Sequence, residues 1–171
     1  MTMNTERMAI WESFLERVKG ALISHYRETL LAAVIFGSAA RGDFRKGSDL
    51  DLLIILAKNE DSLGKRIDEF MGIEGRLREL PEYARAKEGG FPHRIEPVVL
   101  DQEEFQKHPP LLLDLTIDAK VLVDREDVFS REMEVLRRRL QELGSRKVVL
   151  KDGRWYWVLK PGMKWGEQVI L

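Results

Sequence analysis

The sequence contains no cysteine in its 171 residues, and this absence excludes a disulfide scaffold, a thiolate metal site and a cysteine nucleophile. Its three histidines, His25, His93 and His108, lie too far apart in the chain to show the spacing of zinc ligands. Long apolar runs are also missing: the longest, residues 30–36, falls far short of a membrane span, and the N-terminal residues do not resemble a signal peptide. We therefore expect a soluble, cytoplasmic protein that binds no membrane.

Neither sign of charge dominates the chain. The 28 basic and 29 acidic side chains leave a net charge of −1, which argues against a basic nucleic-acid binder and against an acidic tail protein. Hydrophobic residues make up 44% of the sequence, which is enough to build a core. The composition thus predicts one folded domain.

Apolar periodicity predicts three helices. Apolar residues three and four apart indicate amphipathic helices through residues 8–22 and 129–143, with the first stripe in contact with the core. A third helix is predicted over residues 62–80. Pro81 is expected to end it, and the glycines and proline that follow predict a loop over residues 82–92.

Short apolar runs predict the strands, at residues 30–36, 50–57, 94–100 and 120–123. Pro97 lies in the third run and predicts a sheet edge or a bulge, because proline cannot donate a ladder hydrogen bond. Asp152-Gly153, between residues 148–150 and 155–159, predicts a β-hairpin. Helices and strands in this mixed order predict an α/β (α+β) domain.

The segment 137–164 carries nine basic and two acidic side chains, a net charge of +7. Trp155, Tyr156 and Trp157 are interleaved with these basic residues, a pattern that would suit stacking on bases combined with phosphate contacts. A hairpin that packs its aromatic face on the domain and leaves lysines and arginines in solvent explains the same pattern. We favour the packed hairpin.

Two aspartates open the predicted second strand, in the run Ser48-Asp49-Leu50-Asp51. Because side chains alternate along a strand, Asp49 and Asp51 point to one face and the leucine between them points to the other. Two carboxylates at the start of an apolar strand are costly unless a cation lies between them, and Mg²⁺ with its oxygen ligands is the natural one. A pair of such ions can support in-line displacement at phosphorus.

Residues suited to phosphate binding follow the predicted first strand. Gly37 allows close approach of the backbone to a ligand, Ser38 adds a hydroxyl, and Arg41 offers a planar fork of donors. If residues 39–41 begin a helical turn, its amino end also favours negative charge. Neither Gly-Ser nor Asp-x-Asp is specific alone, but chance rarely supplies both in this order with the arginine between them.

The combination of Gly37-Ser38 with Ser48-Asp49-Leu50-Asp51-Leu52 resembles the signature of the DNA polymerase β nucleotidyltransferase superfamily. The short chain is similar to the minimal nucleotidyltransferases, the MNT group. The specific motif covers residues 37–53, and a looser similarity covers roughly residues 10–145. The resemblance implies a nucleotidyltransferase fold, with a mixed β-sheet flanked by helices in residues 1–125. Residues 126–171 would then form a C-terminal helix and a β-hairpin extension packed on the same domain.

The resemblance also implies the catalytic and metal-binding residues. Asp49 and Asp51 match the carboxylates that bind two Mg²⁺ ions, for which Mn²⁺ could substitute. The family has a third carboxylate on a neighbouring strand, which takes the proton of the acceptor or holds the catalytic metal. Glu96 is the candidate here, and Asp101, on the opposite face of the same strand, is the alternative.

The nucleotide site implied by the resemblance consists of Gly37, Ser38, Arg41 and Ser48, with ATP as the favoured NTP. The implied reaction is transfer of a nucleoside monophosphate from the NTP with release of pyrophosphate. In the MNT group the transferase is commonly an antitoxin that modifies a separate HEPN-type toxin. The alternatives are a non-catalytic module that binds nucleotide and neutralises its partner, or transfer to a small molecule or an RNA end. The segment 137–164 is the best candidate for selecting the acceptor.

Overall fold

The computed structural model describes the backbone of residues 2–171 and the side chains from residue 5 onward. Its main sheet consists of β1 (Leu30–Ile35), β2 (Leu50–Leu56), β3 (Ile95–Asp101) and β4 (Lys120–Asp124). The spatial order is β3-β2-β1-β4. β1 is antiparallel to β2 and β4, whereas β2 and β3 are parallel, so the sheet is mixed as expected. The strand with Pro97 lies at the edge, which confirms that prediction.

The helices are α1 (Thr2–Tyr26), α2 (Gly37–Arg41), α3 (Leu63–Arg78), α4 (Pro81–Glu88), α5 (Gln102–Gln106), α6 (Leu111–Leu115) and α7 (Val128–Glu142). Two 3-10 helices, Arg27–Thr29 and Arg125–Asp127, connect α1 to β1 and β4 to α7. The predicted hairpin is present as β5 (Arg146–Val149) and β6 (Trp155–Val158). Across residues 2–171, no helix has the length and apolar character that crossing a membrane requires.

The sheet separates two hydrophobic clusters, because its side chains alternate between its two faces. Leu50 and Leu52 of β2 pack with α1, α3 and α4 on one face. Leu53 and Ile55 pack with α5, α6, α7 and part of the hairpin on the other. Asp51 shares the alternation of Leu53 and Ile55, so the second face is the one on which the candidate site forms.

Most of the apolar stripe of α1 contacts the core as predicted: Trp11, Leu15, Val18 and Leu22 are buried. The prediction is wrong for Met8, whose exposed fraction is 43%. This residue lines a cavity beside α2.

The predicted loop over residues 82–92 is wrong for most of its length. Pro81 is the first residue of α4 and not only the terminator of α3, because its fixed φ suits the first turn of a helix. Glycines 89 and 90 end α4, and Ala86 and Phe91 are buried against the first cluster. A hydrogen bond of 3.0 Å from Arg17 Nη2 to Glu82 Oε1 joins the new helix to α1.

Candidate active site

The turn after β1 lies against the carboxylate of Asp51. Because β1 and β2 are antiparallel, the backbone N–H of Phe36 donates to the carbonyl oxygen of Asp51 at 3.1 Å. Gly37 has a φ of +67°, and a Cβ at this position would lie only 2.3 Å from Asp51 Oδ2. The sequence predicted close approach of the Gly37 backbone to a ligand; the structure shows that this backbone already approaches a carboxylate, which only glycine permits.

Three acidic residues, Asp49, Asp51 and Glu96, lie at the start of β2 and β3. Asp51 is the direct neighbour of Glu96 in the parallel register, and Asp49 is on the same face of the chain two residues earlier. Burial raises the pKa of Asp51, and the charges of Asp49 and Glu96 raise it further, while Arg41 and a backbone hydrogen bond oppose the shift. Burial and acidic neighbours thus disfavour the ionised form of Asp51, which a bound cation would favour.

The buried oxygen of Asp49, Oδ1, has a cation beside it but accepts no hydrogen bond from the described residues. Arg94 Nη2 lies 2.8 Å from Asp49 Oδ1. The geometry of that contact does not form a hydrogen bond, and Oδ1 is buried without a donor among the described residues. A buried carboxylate oxygen that lacks a donor fits a divalent cation, which would supply the missing ligand contact.

The register distinguishes the two candidates for the third carboxylate. Glu96 pairs with Asp51, whereas Asp101 pairs with Leu56 at the far end of the strands. Asp101 also caps α5, since its Oδ1 accepts the N–H of Glu104 at 2.8 Å and Glu104 Oε2 accepts the N–H of Asp101 at 2.9 Å. Of the two, only Glu96 is adjacent to the aspartate pair.

A cavity of about 320 Å³ opens beside Asp51. Gly37, Ser38, Arg41 and Asp51 line one side of it, and residues of α6 and the hairpin line the other, among them Trp155. Arg41 is held loosely at the rim: its Nε donates to Asp43 at 3.1 Å, and its Nη1 lies 3.8 Å from Asp118 Oδ2. Three of the predicted nucleotide-binding residues thus share a cavity with one of the predicted metal ligands.

A larger cavity of about 460 Å³ lies on the other side of α2, over the stacked rings of Trp11 and Phe91. Arg7 and Lys120 reach it, but none of the described residues that line it carries a carboxylate. Metal-dependent chemistry needs such ligands, so we place the candidate site in the smaller cavity.

The structure gives Ser48 a contact outside the cavity. Its hydroxyl accepts the backbone N–H of Arg45 at 3.0 Å, in the turn that leads into β2. The role of Ser48 in nucleotide binding remains a prediction.

Across the part of the chain that the structure describes, no three histidine or acidic side chains are gathered into a metal-binding cluster.

The wall of the cavity that lies opposite α2 was not predicted from the sequence. Asp114 lies in α6, in the otherwise apolar run Leu111–Leu115. It accepts the indole N–H groups of Trp155 and Trp157, at 3.0 and 3.1 Å, and lies 2.8 Å from Lys147 Nζ. A single acid in a buried apolar helix is a signal that could have identified it, because such a group needs partners.

The family of nucleotidyltransferase domains matches residues 15–123, more than half of the chain and all of the main sheet except the last residue of β4. The chain therefore belongs to this family, and it is a nucleotidyltransferase. The resemblance drawn from the Gly-Ser and Asp-x-Asp motifs is confirmed. A search of curated proteins finds no significant match.

Three solved structures are similar to the chain. A toxin–antitoxin complex with AMP-PNP has 15% identity over 75% of this chain and 90% of that chain, with a TM-score of 0.45. A mutant of the toxin–antitoxin MntA-HpeT has 14% identity over 75% and 90%, with a TM-score of 0.47. A Sulfolobus solfataricus protein described as a nucleotidyltransferase has 21% identity over 70% and 88%, with a TM-score of 0.42.

Proposed function

We propose that this chain transfers a nucleoside monophosphate from an NTP, with ATP favoured, to an acceptor hydroxyl and releases pyrophosphate. The observation that carries the proposal is that Asp51 lies against the Gly37 turn and pairs in register with Glu96, with Asp49 two residues earlier on the same face. Ligands for divalent metals next to phosphate-binding donors are the parts that nucleotidyl transfer requires.

Each residue has a role in this reaction. Asp49, Asp51 and Glu96 would hold two Mg²⁺ ions, or Mn²⁺ in their place, which when bound stabilise charge at the phosphorus and activate the attacking oxygen. Ser38 and Arg41 hold the triphosphate with its α-phosphorus towards Asp51. The acceptor oxygen bonds to the α-phosphorus, the bond from that phosphorus to the oxygen bridging the α- and β-phosphates breaks, and pyrophosphate leaves with that oxygen. Glu96 takes the acceptor proton.

We also propose that the acceptor is a separate protein of the HEPN toxin type, which would make this chain the antitoxin of a pair. This part rests on the resemblance of the motif in residues 37–53 to the MNT group. Transfer to a small molecule or to an RNA end is the alternative.

A different observation favours a second candidate function. The close approach of Arg94 to Asp49 places a protein cation where a metal would otherwise balance the carboxylate. A module that binds nucleotide and neutralises its partner without turnover would retain such a contact permanently. The catalytic proposal requires instead that Arg94 yield to a metal ion.

The test uses the purified chain with NTPs labelled at the α-phosphate, Mg²⁺ and an extract of the source organism. Wild type and Asp51→Asn are compared. Label in a discrete protein, an RNA or a small molecule that is lost in the variant establishes transfer and gives the acceptor class. If none of the NTPs gives label that depends on Asp51 although Mg–NTP binds, the second candidate replaces the first.

Removal of Arg94 is expected to strengthen metal binding. Arg94→Gln should lower the Kd for Mn²⁺ about three- to tenfold, because the variant removes a cation that lies 2.8 Å from Asp49 Oδ1 and is itself mostly exposed. Electron paramagnetic resonance of free Mn²⁺ measures this directly. Arg45→Gln is the matched control, since it removes the same charge from an exposed side chain nearby. Weaker Mn²⁺ binding in Arg94→Gln would mean that Arg94 supports the ligand set.

A further inference from the structure

The C-terminal hairpin packs on the face of the sheet that carries the candidate site. Trp157 and Leu159 contact the second hydrophobic cluster, together with residues of α6 and α7. This contact agrees with the packed hairpin favoured from the sequence. Trp155 is different, because 48% of it is exposed and it lines the cavity that Ser38 and Asp51 also line.

Asp114 fixes the position of this exposed indole. Its Oδ2 accepts the N–H of Trp155 at 3.0 Å, and its Oδ1 accepts the N–H of Trp157 at 3.1 Å. Lys147 Nζ lies 2.8 Å from Asp114 Oδ1 and 4.7 Å from the centre of the Trp155 ring. Burial by itself raises the pKa of Asp114, but hydrogen bonds from Lys147, Trp157 and Trp155 outweigh it, and the net shift is downward. Asp114 therefore stays ionised at neutral pH and holds the indole in place.

Holding a half-exposed tryptophan in a fixed orientation costs folding free energy, so the stability of the fold does not explain this arrangement. Indole surface left in water forgoes burial, and tethering it forgoes rotamer freedom. The same two properties favour stacking, because a preoriented ring loses little entropy when a planar ligand packs against it. A cavity of about 320 Å³ is at the lower end of the range for small-molecule sites, large enough for a nucleoside.

We propose that Trp155 is the stacking surface for the nucleobase of the NTP, with Lys147 on one face of the indole and the base on the other. Trp155 and the phosphate-binding residues Ser38 and Arg41 line the same cavity, so the base would occupy the hairpin side and the triphosphate the α2 side. Stacking tolerates every base, since each has a π-face. The inference rests on the proposed function, because it assumes that the triphosphate binds beside Ser38.

The experiment measures binding by isothermal titration calorimetry, with Mg²⁺ and two probes: a non-hydrolysable ATP analogue and inorganic tripolyphosphate, which has no base. Trp155→Ala should raise the Kd of the ATP analogue by about tenfold, within the range that alanine substitution of stacking aromatics gives. The Kd of tripolyphosphate should change by less than about twofold, since phosphate contacts are untouched. Trp155→Phe should restore most of the affinity.

Tyr156→Ala is the matched control. Tyr156 is the next residue on β6, is 51% exposed and, by the alternation of side chains, points to the other face of the hairpin. It should bind both probes as wild type does. Thermal melts followed by circular dichroism show whether each variant folds, and the Trp155→Phe result stands even if the alanine variant is unstable.

The outcomes separate this inference from the proposed function. Equal loss of both probes in Trp155→Ala, or no loss of either, overturns the stacking role while the nucleotide site stands. A wild-type protein that binds neither probe refutes the nucleotide site itself. A greater loss for an adenine than for a cytosine ligand supports stacking further, because the larger ring system stacks more strongly.

Discussion

Asp51→Asn should lower the rate of nucleotidyl transfer about a thousandfold or more, a loss of about 4 kcal/mol of transition-state stabilisation. Asp51 lies at the centre of the site: it neighbours Glu96 in the sheet, follows Asp49 on the same face, and has the backbone of Gly37 packed against its carboxylate. An amide keeps the shape of the side chain but removes the charge that a divalent cation needs. Single-turnover assays with a labelled NTP measure the loss.

The same substitution should stabilise the metal-free protein. Burial and the repulsion from Asp49 and Glu96 raise the pKa of Asp51, so its ionised form is disfavoured in the folded state. Above the raised pKa the charge therefore costs stability, and Asp51→Asn should increase the Tm by on the order of 2 °C in EDTA at neutral pH. The gain should vanish as pH falls below the ordinary pKa of an aspartate, because Asp51 is then protonated in both states.

Asp68→Asn is the control for both measurements. It removes one negative charge from an exposed position on α3, a helix that packs on the other face of the sheet from the candidate site. We expect wild-type activity and an unchanged Tm. An Asp51→Asn protein that retains full activity, or that melts below wild type in EDTA, would contradict the electrostatic description of the site.

Gly37→Ala is expected to have the second-largest effect, with activity lowered about a hundredfold or more and stability lowered by about 2–4 kcal/mol. The φ of +67° strains any residue with a Cβ, and the new methyl would lie 2.3 Å from Asp51 Oδ2. Either the turn or the carboxylate must move, and both belong to the site. Chemical denaturation and the transfer assay measure the two losses.

Gly42→Ala separates strain from displacement. Gly42 caps α2 with a φ of +77°, but a Cβ there meets no atom within 4 Å. Its alanine variant should lose about 1–2 kcal/mol of stability to strain alone and should keep its activity. If Gly37→Ala behaves in the same way as Gly42→Ala, then Gly37 is only a turn residue and the close contact with Asp51 is not required for activity.

Local patterns in the sequence were sufficient to predict the strands that carry the candidate site and the shared face of its two aspartates. The period of two places Asp49 and Asp51 on one face, and the apolar runs around them define β1 and β2. These predictions depend on neighbouring residues, whose relative positions the backbone geometry determines. Pro81 marks the limit of such reasoning. A proline can be followed by a loop or by a new helix, and the neighbouring residues do not distinguish these two cases. Here Pro81 follows α3 and is the first residue of α4.

Contacts between distant parts of the chain were decided by the tertiary structure. The parallel register of β2 and β3 makes Glu96, not Asp101, the neighbour of Asp51. The hairpin lines the cavity with Trp155, whose indole N–H donates to Asp114 of α6, 41 residues away in the chain. The sequence by itself determined the class of protein and predicted Asp49 and Asp51 as a pair on one face, because a compact motif encodes both. Only the fold showed that Glu96 pairs with Asp51 and that Trp155 and Asp114 line the opposite wall of the cavity, because strand register and docking depend on how whole elements pack.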